Sequence, residues 1–545
     1  MRRDLGDFQT PPELVECVLD AMGPLGGRWG RVLEPTCGRG HFLAGILARG
    51  NAPKELRGIE VQPVHFETAS RTLAAAVADA NAHSQAIGVG GTGVDVRLLQ
   101  ADLFRVDLRK DLEWQGSGPL LVIGNPPWVT NAGLGVLGGG ILPEKSNVKK
   151  RRGIDAMTGA SNFDVAEAIW LKLIKELAHE EATIALLCKL SVARGILEFA
   201  ERQRLPIAEA SIFTIDARRW FKVVVDACLF RVTLGPPTPL RKVPIHQGLD
   251  PSRAPRHFIG FARGRIIADV EAYEPFRYAD GECPLTWRQG LKHDAAAVME
   301  LTLDASGEAY RNKLGELVDV EPSRVYPLVK GSDLVPDPTP RPRRGVLVTQ
   351  QRIGQETREL AETSPRLWAY LGAHAADFAR RKSSIYKGQP PFALFGVGPY
   401  SFAPYKVAIS GLHKEPTFLA LGPRAGRPVM LDDTSYFLPC RTAEQAALTA
   451  ALLNDPATLS LLRAITFRDA KRPITKAVLQ RLDLNALAAS VDQDALIERA
   501  ERELARLLDG ESREDDPLDA NAGAPETATV EPASPPATTT AVSNS

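Results

Sequence analysis

Two hydrophobic periodicities alternate between Arg31 and about Leu234. Short apolar runs predict β-strands, and stretches with apolar residues three or four positions apart predict helices between them. The clearest helix is Phe163–Ala178, where five apolar residues recur at helical spacing. The alternation predicts an α/β fold with a mostly parallel, Rossmann-like sheet that helices cover on both faces. The predicted strands are 31–35, 56–61, 96–102, 119–127, 182–189, 210–217 and 227–234.

A proline cluster at 236–240 ends this regular pattern and predicts a domain boundary. We therefore predict a first domain over 1–238 and a second, mixed α+β domain over 239–510. The segment 511–545 is acidic and rich in Pro, Ala and Thr, so we expect it to be a disordered tail. The helices predicted for the second domain lie near 443–453, 474–482 and 495–508.

Composition adds information mainly through the distribution of charge. The net charge is zero, which at first disfavours a nucleic-acid partner. The tail from Glu511 holds seven acids and one base, however, so the first 510 residues carry a net charge of +6. A mildly basic body is compatible with a groove that binds nucleic acid, although composition alone does not show one.

Other classes of protein are disfavoured by the sequence. The chain has no apolar run of about 18 residues and begins without the apolar stretch of a signal peptide, so we expect no membrane span and a cytoplasmic location. Its six cysteines are scattered, and none has the spacing of a zinc site. We expect buried thiols and no metal.

A glycine-rich turn follows the first predicted strand. Its residues Glu34, Thr36, Gly38 and Gly40 precede a helix whose N-terminus favours an anionic group. Such a turn either binds a nucleotide-like ligand or is an ordinary connection. Glu60 ends the second strand 20 residues after Gly40, the spacing at which an acid commonly binds ribose hydroxyls; a solvated helix cap is the alternative.

The third strand ends at Asp102. Its carboxylate could accept a hydrogen bond from an adenine amino group, with Phe104 covering the ring. An aspartate at this place is also a common turn residue, so both interpretations stay open.

The most informative motif is Asn125-Pro126-Pro127-Trp128, after the fourth strand. An exocyclic amine on a purine is a poor nucleophile, and the Asn125 side-chain oxygen with the Pro126 carbonyl could accept its two hydrogens. Prolines stiffen the loop, and Trp128 offers a stacking face for a base removed from a duplex. The alternative is a rigid turn after a buried strand.

The order of these motifs resembles the gamma class of amino-methylating DNA methyltransferases. The resemblance implies a seven-stranded class I methyltransferase domain, S-adenosylmethionine as cofactor and a separate target-recognition domain. It assigns the catalytic loop to residues 125–128 and places an aromatic residue on the flipped adenine, for which Phe221 is the candidate and Trp220 the alternative. It implies cofactor contacts from Thr10, Pro11, Glu34, Thr36, Gly38, Gly40, Glu60, Asp102, Leu103 and Asn125.

A long insert separates Trp128 from Phe163. It is glycine-rich at 133–140 and basic at Lys149, Lys150, Arg151 and Arg152. We interpret it either as a mobile lid that orders over DNA phosphates or as a solvated run of charge. Ser161 or Asn162 is the expected N-cap of the following helix, and Phe163 a candidate cofactor contact.

Together these features predict an enzyme that methylates N6 of adenine in double-stranded DNA. The expected partners are duplex DNA and other proteins of a restriction or defence system, and the expected location is the cytoplasm, on the nucleoid when DNA is bound. Methylation of an RNA base or of a protein glutamine, and an inactive specificity subunit, are the rival functions. Three segments resemble recognition-domain segments of bacterial adenine methylases: 287–293, 325–333 and 402–406.

Overall fold

A computed structural model describes residues 9–50, 52–86, 93–129, 164–303, 309–335 and 344–514. Several sequence predictions fall outside these ranges, namely those for the insert with its four basic residues 149–152, for 161–163 and for the tail beyond 514.

All seven predicted strands are present in one sheet. The order across this part of the sheet is β3-β2-β1-β4-β5-β7-β6, and β7 runs antiparallel between β5 and β6. The seven strands are β1 (Arg31–Glu34), β2 (Glu55–Glu60), β3 (Asp95–Gln100), β4 (Leu120–Gly124), β5 (Ala182–Lys189), β6 (Ile207–Ile215) and β7 (Ala227–Leu234).

The sheet has ten strands in the described chain, so the predicted count of seven was too low. The first added strand, β8, pairs in parallel with β6, and β9 and β10 follow as antiparallel neighbours. These strands lie beyond residue 238, where the sequence predicted the first domain to end. The added strands are β8 (Val243–His246), β9 (His257–Ala262) and β10 (Arg265–Ile267).

Helices cover both faces of the sheet, as the continuous apolar strands require. Along β4, Leu120 and Val122 face one hydrophobic core, whereas Leu121 and Ile123 face the other. The helices of this part are α1 (Pro12–Met22), α2 (His41–Ala48), α3 (Pro63–Ala86), α4 (Val165–Glu176), α5 (Leu190–Gln203) and α6 (Ala217–Phe221).

The helix predicted at 163–178 is α4, but its N-cap differs from the prediction. Asp164 caps it by accepting a hydrogen bond from the Ala166 N–H, at 3.1 Å. Asp164 also pairs with Lys189 at the end of β5, at 2.7 Å. A carboxylate is as good a cap as the predicted Ser161 or Asn162, and here it is fixed by a second partner.

Two smaller sheets form the centre of the second part of the chain. One has the order β11-β19-β16-β17 and the other β13-β12-β15-β14-β18. Their strands are β11 (Arg288–Gln289), β12 (Glu300–Leu303), β13 (Tyr310–Asn312), β14 (Val325–Val329), β15 (Arg344–Leu347), β16 (Tyr405–Ser410), β17 (Leu419–Leu421), β18 (Met430–Leu431) and β19 (Ser435–Cys440).

Helices of the second part pack mainly in its C-terminal third. The three helices predicted near 443–453, 474–482 and 495–508 are present at Ala443–Leu453, Lys476–Leu479 and Gln493–Glu514. The helices are α7 (Val270–Tyr273), α8 (Ala296–Met299), α9 (Leu360–Thr363), α10 (Pro365–Ala373), α11 (Ala375–Ala379), α12 (Ala443–Leu453), α13 (Pro456–Ile465), α14 (Lys476–Leu479), α15 (Leu484–Ser490) and α16 (Gln493–Glu514).

The two parts of the chain contact each other close to the end of β5. Phe467 packs against the core of the first part, and the Arg194 guanidinium lies 4.4 Å from the centre of its ring. Arg194 also forms an ion pair with Asp469. In the described residues, no helix is both long and apolar enough to cross a membrane.

Candidate active site at the carboxyl ends of the strands

The glycine turn and the acid of the second strand are joined directly. Glu60 accepts a hydrogen bond from the Gly38 N–H at 2.9 Å through one carboxylate oxygen and from the Gln62 N–H at 2.7 Å through the other. Gly38 has φ +52°, and a Cβ there would lie 2.7 Å from the Gln9 side chain. The left-handed backbone at Gly38 favours glycine, which lets the chain turn tightly here.

A cavity of about 350 Å³ opens beside this turn. Its volume lies in the range of about 300–1,000 Å³ common for small-ligand sites. The ends of β1, β2 and β4 supply its walls, as expected for ligands of a parallel sheet. Of the predicted site residues, the cavity is lined by Thr10, Glu34, Thr36, Gly38, Glu60, Asp102, Leu103, Asn125 and Pro127.

Asp102 caps a turn and also lines the cavity. Its Oδ1 accepts a hydrogen bond from the Phe104 N–H at 3.0 Å and so caps the 3₁₀ turn Leu103–Arg105. It also lines the cavity, together with the apolar side chains of Leu103 and Phe104. The carboxylate is thus held in place by the turn while it faces the cavity.

The catalytic-loop candidate Asn125 follows β4 and reaches the same cavity as Gly38. Its Nδ2 donates a hydrogen bond to the Thr10 hydroxyl oxygen, at 3.2 Å. A residue from the N-terminal segment, a glycine turn at 36–40 and the loop at 125–127 are therefore assembled around one space. This is the arrangement that the sequence motifs predicted.

Trp128 and Phe221, the two aromatic residues predicted to contact the flipped adenine, contact each other in this structure. Both are buried, and their ring centres are 5.1 Å apart in an edge-to-face contact. A base between two parallel rings needs contacts of about 3.5–4.0 Å on each side, so the two rings would have to separate. The Trp128 indole N–H also donates to the Leu187 carbonyl, at 3.3 Å, which anchors it in the core.

Three other predicted residues lie near the cavity without lining it. Pro11 is the residue before α1, and Pro126 is buried within the loop. Gly40 has φ +79° and is the N-cap of α2, and a Cβ at this position would lie 3.4 Å from the Cβ of Ala69 in α3. The left-handed backbone at this position favours glycine, and Gly40 is not among the described residues that line the cavity.

The sequence interpretation missed several lining residues. His41 is the first residue of α2, while Gln62 and His65 follow Glu60 at the end of β2. Their positions immediately after Gly40 and Glu60 were the available signal, because residues that follow a ligand-binding strand end share its edge of the sheet.

Comparisons with known proteins identify the family. No family model matches the chain. The type II methyltransferase M.NspV of Nostoc sp. (strain ATCC 29411 / PCC 7524) is 36% identical over 486 residues, which are 89% of this chain and 97% of the relative. The chain belongs to this type II methyltransferase family. The family also confirms the predicted cofactor, S-adenosylmethionine.

Solved structures resemble this methyltransferase at low sequence identity. The type IIL restriction-modification enzyme MmeI in complex with DNA has 14% identity and a TM-score of 0.49, over 93% of this chain and 73% of that one. A putative class I S-adenosylmethionine-dependent methyltransferase from Listeria monocytogenes has 13% identity and a TM-score of 0.30, over 45% of this chain and 68% of that one.

The cavity of the methyltransferase fits a cationic, purine-containing cofactor. Glu34, Glu60 and Asp102 line it, and among the described lining residues the only basic side chains are two histidines. Glu34 Oε2 and the Thr36 hydroxyl oxygen are buried and have no hydrogen-bond partner within the described chain. Buried acceptors of this kind need donors, which the ammonium and ribose groups of the cofactor can supply.

Burial determines the protonation of the cysteine that lines this cavity. Burial raises the pKa of the Cys37 thiol, and the neighbouring Glu34 and Glu60 raise it further, so the thiol stays protonated. All six cysteines are free, and five of them are buried. In the described ranges, His, Cys, Asp and Glu form no group of three or more that could hold a metal ion.

We predict that cofactor affinity depends on the ionisation of Glu34. Burial raises the pKa of this carboxyl well above its ordinary value of 4.5, and the Glu60 charge adds to the effect. The neutral form dominates at low pH, whereas a cationic cofactor favours the ionised form. The affinity should therefore rise from pH 5 toward the pKa of the cofactor amine, about 7.7–8.0, by at most about tenfold per pH unit for one proton.

Calorimetric titration across this pH range measures the effect. In Glu34→Gln, cofactor affinity should vary less with pH than in the wild type. The variant should also release fewer protons on binding, a number that is measured by repeating the titration in buffers of different ionisation enthalpy. An unchanged slope in Glu34→Gln would mean that another group controls the pH dependence.

Proposed function

We propose that this methyltransferase transfers a methyl group from S-adenosylmethionine to N6 of an adenine in duplex DNA, as part of a restriction–modification or defence system. The proposal rests on one observation above all: Asn125 lines the same cavity as the glycine turn and Glu60. An amide acceptor beside the cofactor cavity suits an exocyclic amine as the methyl acceptor.

In this proposal the residues of the chain position the target amine and the cofactor, and they stabilise the charge that develops during methyl transfer. The cofactor supplies an electrophilic methyl group on its sulfonium. Asn125 accepts a hydrogen bond from the target amine through its side-chain oxygen, and the Pro126 carbonyl is the predicted second acceptor. As the nitrogen–methyl bond forms and the sulfur–methyl bond breaks, the nitrogen becomes positively charged, and it then loses one proton to water. Both hydrogen bonds strengthen as the nitrogen gains positive charge, so they stabilise the transition state more than the ground state.

Glu60 and Asp102 hold the cofactor in this proposal. Glu60 is fixed by the Gly38 and Gln62 amides, and Asp102 by the Phe104 amide. Ribose hydroxyls and an adenine amino group are the matching donors. Because both carboxylates are preorganised by the backbone, binding does not have to order them first.

Duplex DNA as the substrate is supported by the second part of the chain. Exposed basic residues there include Arg352, Lys382 and Lys387, and in the described ranges none of the three forms an ion pair. Arg352 lies on a turn fixed by Gln350, which is buried and bonded to both backbone groups of Leu394. An exposed guanidinium on a turn that is fixed by hydrogen bonds can contact the phosphates or the base edges of DNA.

The decisive experiment incubates the protein with labelled S-adenosylmethionine and genomic DNA. We expect label in DNA, N6-methyladenine in its nucleoside digest, and one sequence context in methylation-sensitive sequencing. Methylated cytosine in the digest would mean that the target base is cytosine and not adenine. Label in RNA or protein instead of DNA would overturn the proposed substrate.

Phe221 is proposed to stack on the flipped adenine after it separates from Trp128. Phe221→Ala should lower turnover on duplex DNA by about 10-fold or more, since stacking contributes about 1–3 kcal/mol per base. The fluorescence rise of 2-aminopurine at the target position should shrink in parallel. Trp220, half-buried beneath Arg219, is the matched control. If Trp220→Ala causes the larger loss, the stacking assignment is wrong.

A further inference from the structure

The N-terminal segment at Gln9 and Thr10 connects the glycine turn to the catalytic loop. Gln9 Oε1 accepts a hydrogen bond from the Arg39 N–H at 3.2 Å. The Thr10 carbonyl lies 2.8 Å from His41 Nδ1, and the Thr10 hydroxyl oxygen lies 3.2 Å from Asn125 Nδ2. Thr10 is only 6% exposed, so these contacts are shielded from water.

The contact with Asn125 has a chemical consequence. A carboxamide has one accepting end and one donating end, and only the oxygen can accept a hydrogen from an amine. If the nitrogen faced the target amine, two sets of N–H groups would oppose each other. In this structure the Thr10 hydroxyl oxygen accepts from the nitrogen end of Asn125, so the oxygen end points away from Thr10.

We infer that Thr10 is a positioning residue that sets the orientation of the Asn125 carboxamide for the target amine. The inference depends on the proposed function, because it assigns Thr10 a part in the step that Asn125 performs. It goes beyond the cofactor contact that the sequence implied for Thr10.

The backbone of Thr10 is itself bonded to the first residue of α2, which lies next to the glycine turn. His41 donates from Nδ1 to the Thr10 carbonyl, which requires the proton on that ring nitrogen. His41 follows Gly40 at the start of α2, so Thr10 is tied to the glycine turn by His41 and, one residue earlier, by Gln9. The orientation of Asn125 is thus linked to the element that receives the cofactor.

Thr10→Val and Thr10→Ser test the inference. Valine keeps the shape and loses the hydroxyl, so kcat should fall by about 10²-fold, the usual cost of a misplaced catalytic group. Serine keeps the hydroxyl and should restore most of the turnover. Steady-state kinetics on an unmethylated duplex that carries the target site, together with calorimetry with S-adenosylmethionine, separate kcat, the KM for DNA and cofactor affinity.

Thr36→Val is the matched comparison, because it removes a buried hydroxyl from the same cavity without a bond to Asn125. It should weaken cofactor affinity rather than lower kcat at saturating cofactor. A Thr10→Val enzyme with normal kcat, or with weaker cofactor binding as its only defect, would overturn the inference, as would failure of Thr10→Ser to restore turnover. The proposed function fails separately, if Asn125→Ala keeps full activity or if the wild type methylates no DNA.

Discussion

Replacing Asn125 with alanine is expected to lower kcat for methyl transfer by about 10²–10³-fold, the usual effect of removing one preorganised group that stabilises developing charge. The target nitrogen gains positive charge as it attacks the methyl group, and Asn125 supplies an acceptor for its hydrogen. Without that acceptor the nitrogen lone pair stays conjugated with the purine ring. Rates measured with saturating duplex DNA and labelled cofactor test the expectation.

The same substitution should leave cofactor affinity nearly unchanged. Glu60, Asp102 and the Gly38 turn are held by backbone hydrogen bonds that do not involve Asn125. Asn485→Ala, at an exposed position of α15, is the control for loss of an asparagine side chain. A parallel loss of cofactor binding in Asn125→Ala would assign the loop to cofactor binding, and normal kcat would mean that the amine needs no acceptor here.

The sequence predicted the catalytic half of the fold well because its signals are local. Seven strands could be located from runs of apolar residues, and α4 from helical spacing. Strands β8 to β10 were missed because they follow the proline cluster at 236–240, which was interpreted as the end of the sheet-forming domain. The register of Val243–His246 against β6 depends on packing between distant segments, which no local pattern encodes.

The candidate site could be predicted to a similar degree and for a similar reason. Gly38, Glu60, Asp102 and Asn125 meet because each follows a strand of one sheet, and strand ends converge in space. The edge-to-face contact of Trp128 with Phe221 depends on side-chain packing across 93 positions and had no signal. The bond between Thr10 and Asn125, 115 positions apart, likewise follows from tertiary structure alone.

Replacing Asp280 with alanine is expected to lower the free energy of unfolding by about 3–5 kcal/mol, as when one partner of a buried ion pair is removed. Asp280 is fully buried. Arg481 donates to both of its carboxylate oxygens, at 2.9 and 2.8 Å, and the Tyr273 hydroxyl donates to one of them at 2.9 Å. The alanine variant leaves the Arg481 guanidinium, 11% exposed, without its carboxylate.

The pH dependence of this loss identifies its electrostatic origin. Burial acts to raise the pKa of Asp280, but the hydrogen bonds and charge of Arg481 outweigh it, so the pKa is below its ordinary value of 3.8. A carboxyl with a lowered folded pKa stabilises the protein above the unfolded pKa, and this contribution is lost as pH falls through the folded value. Urea unfolding should therefore show a large difference between wild type and Asp280→Ala at pH 7, and a smaller one below about pH 4. Asp79→Ala, at an exposed aspartate of α3, should show no such pH-dependent difference from the wild type. A difference that persists unchanged into acid would mean that lost packing, rather than the ion pair, causes the effect.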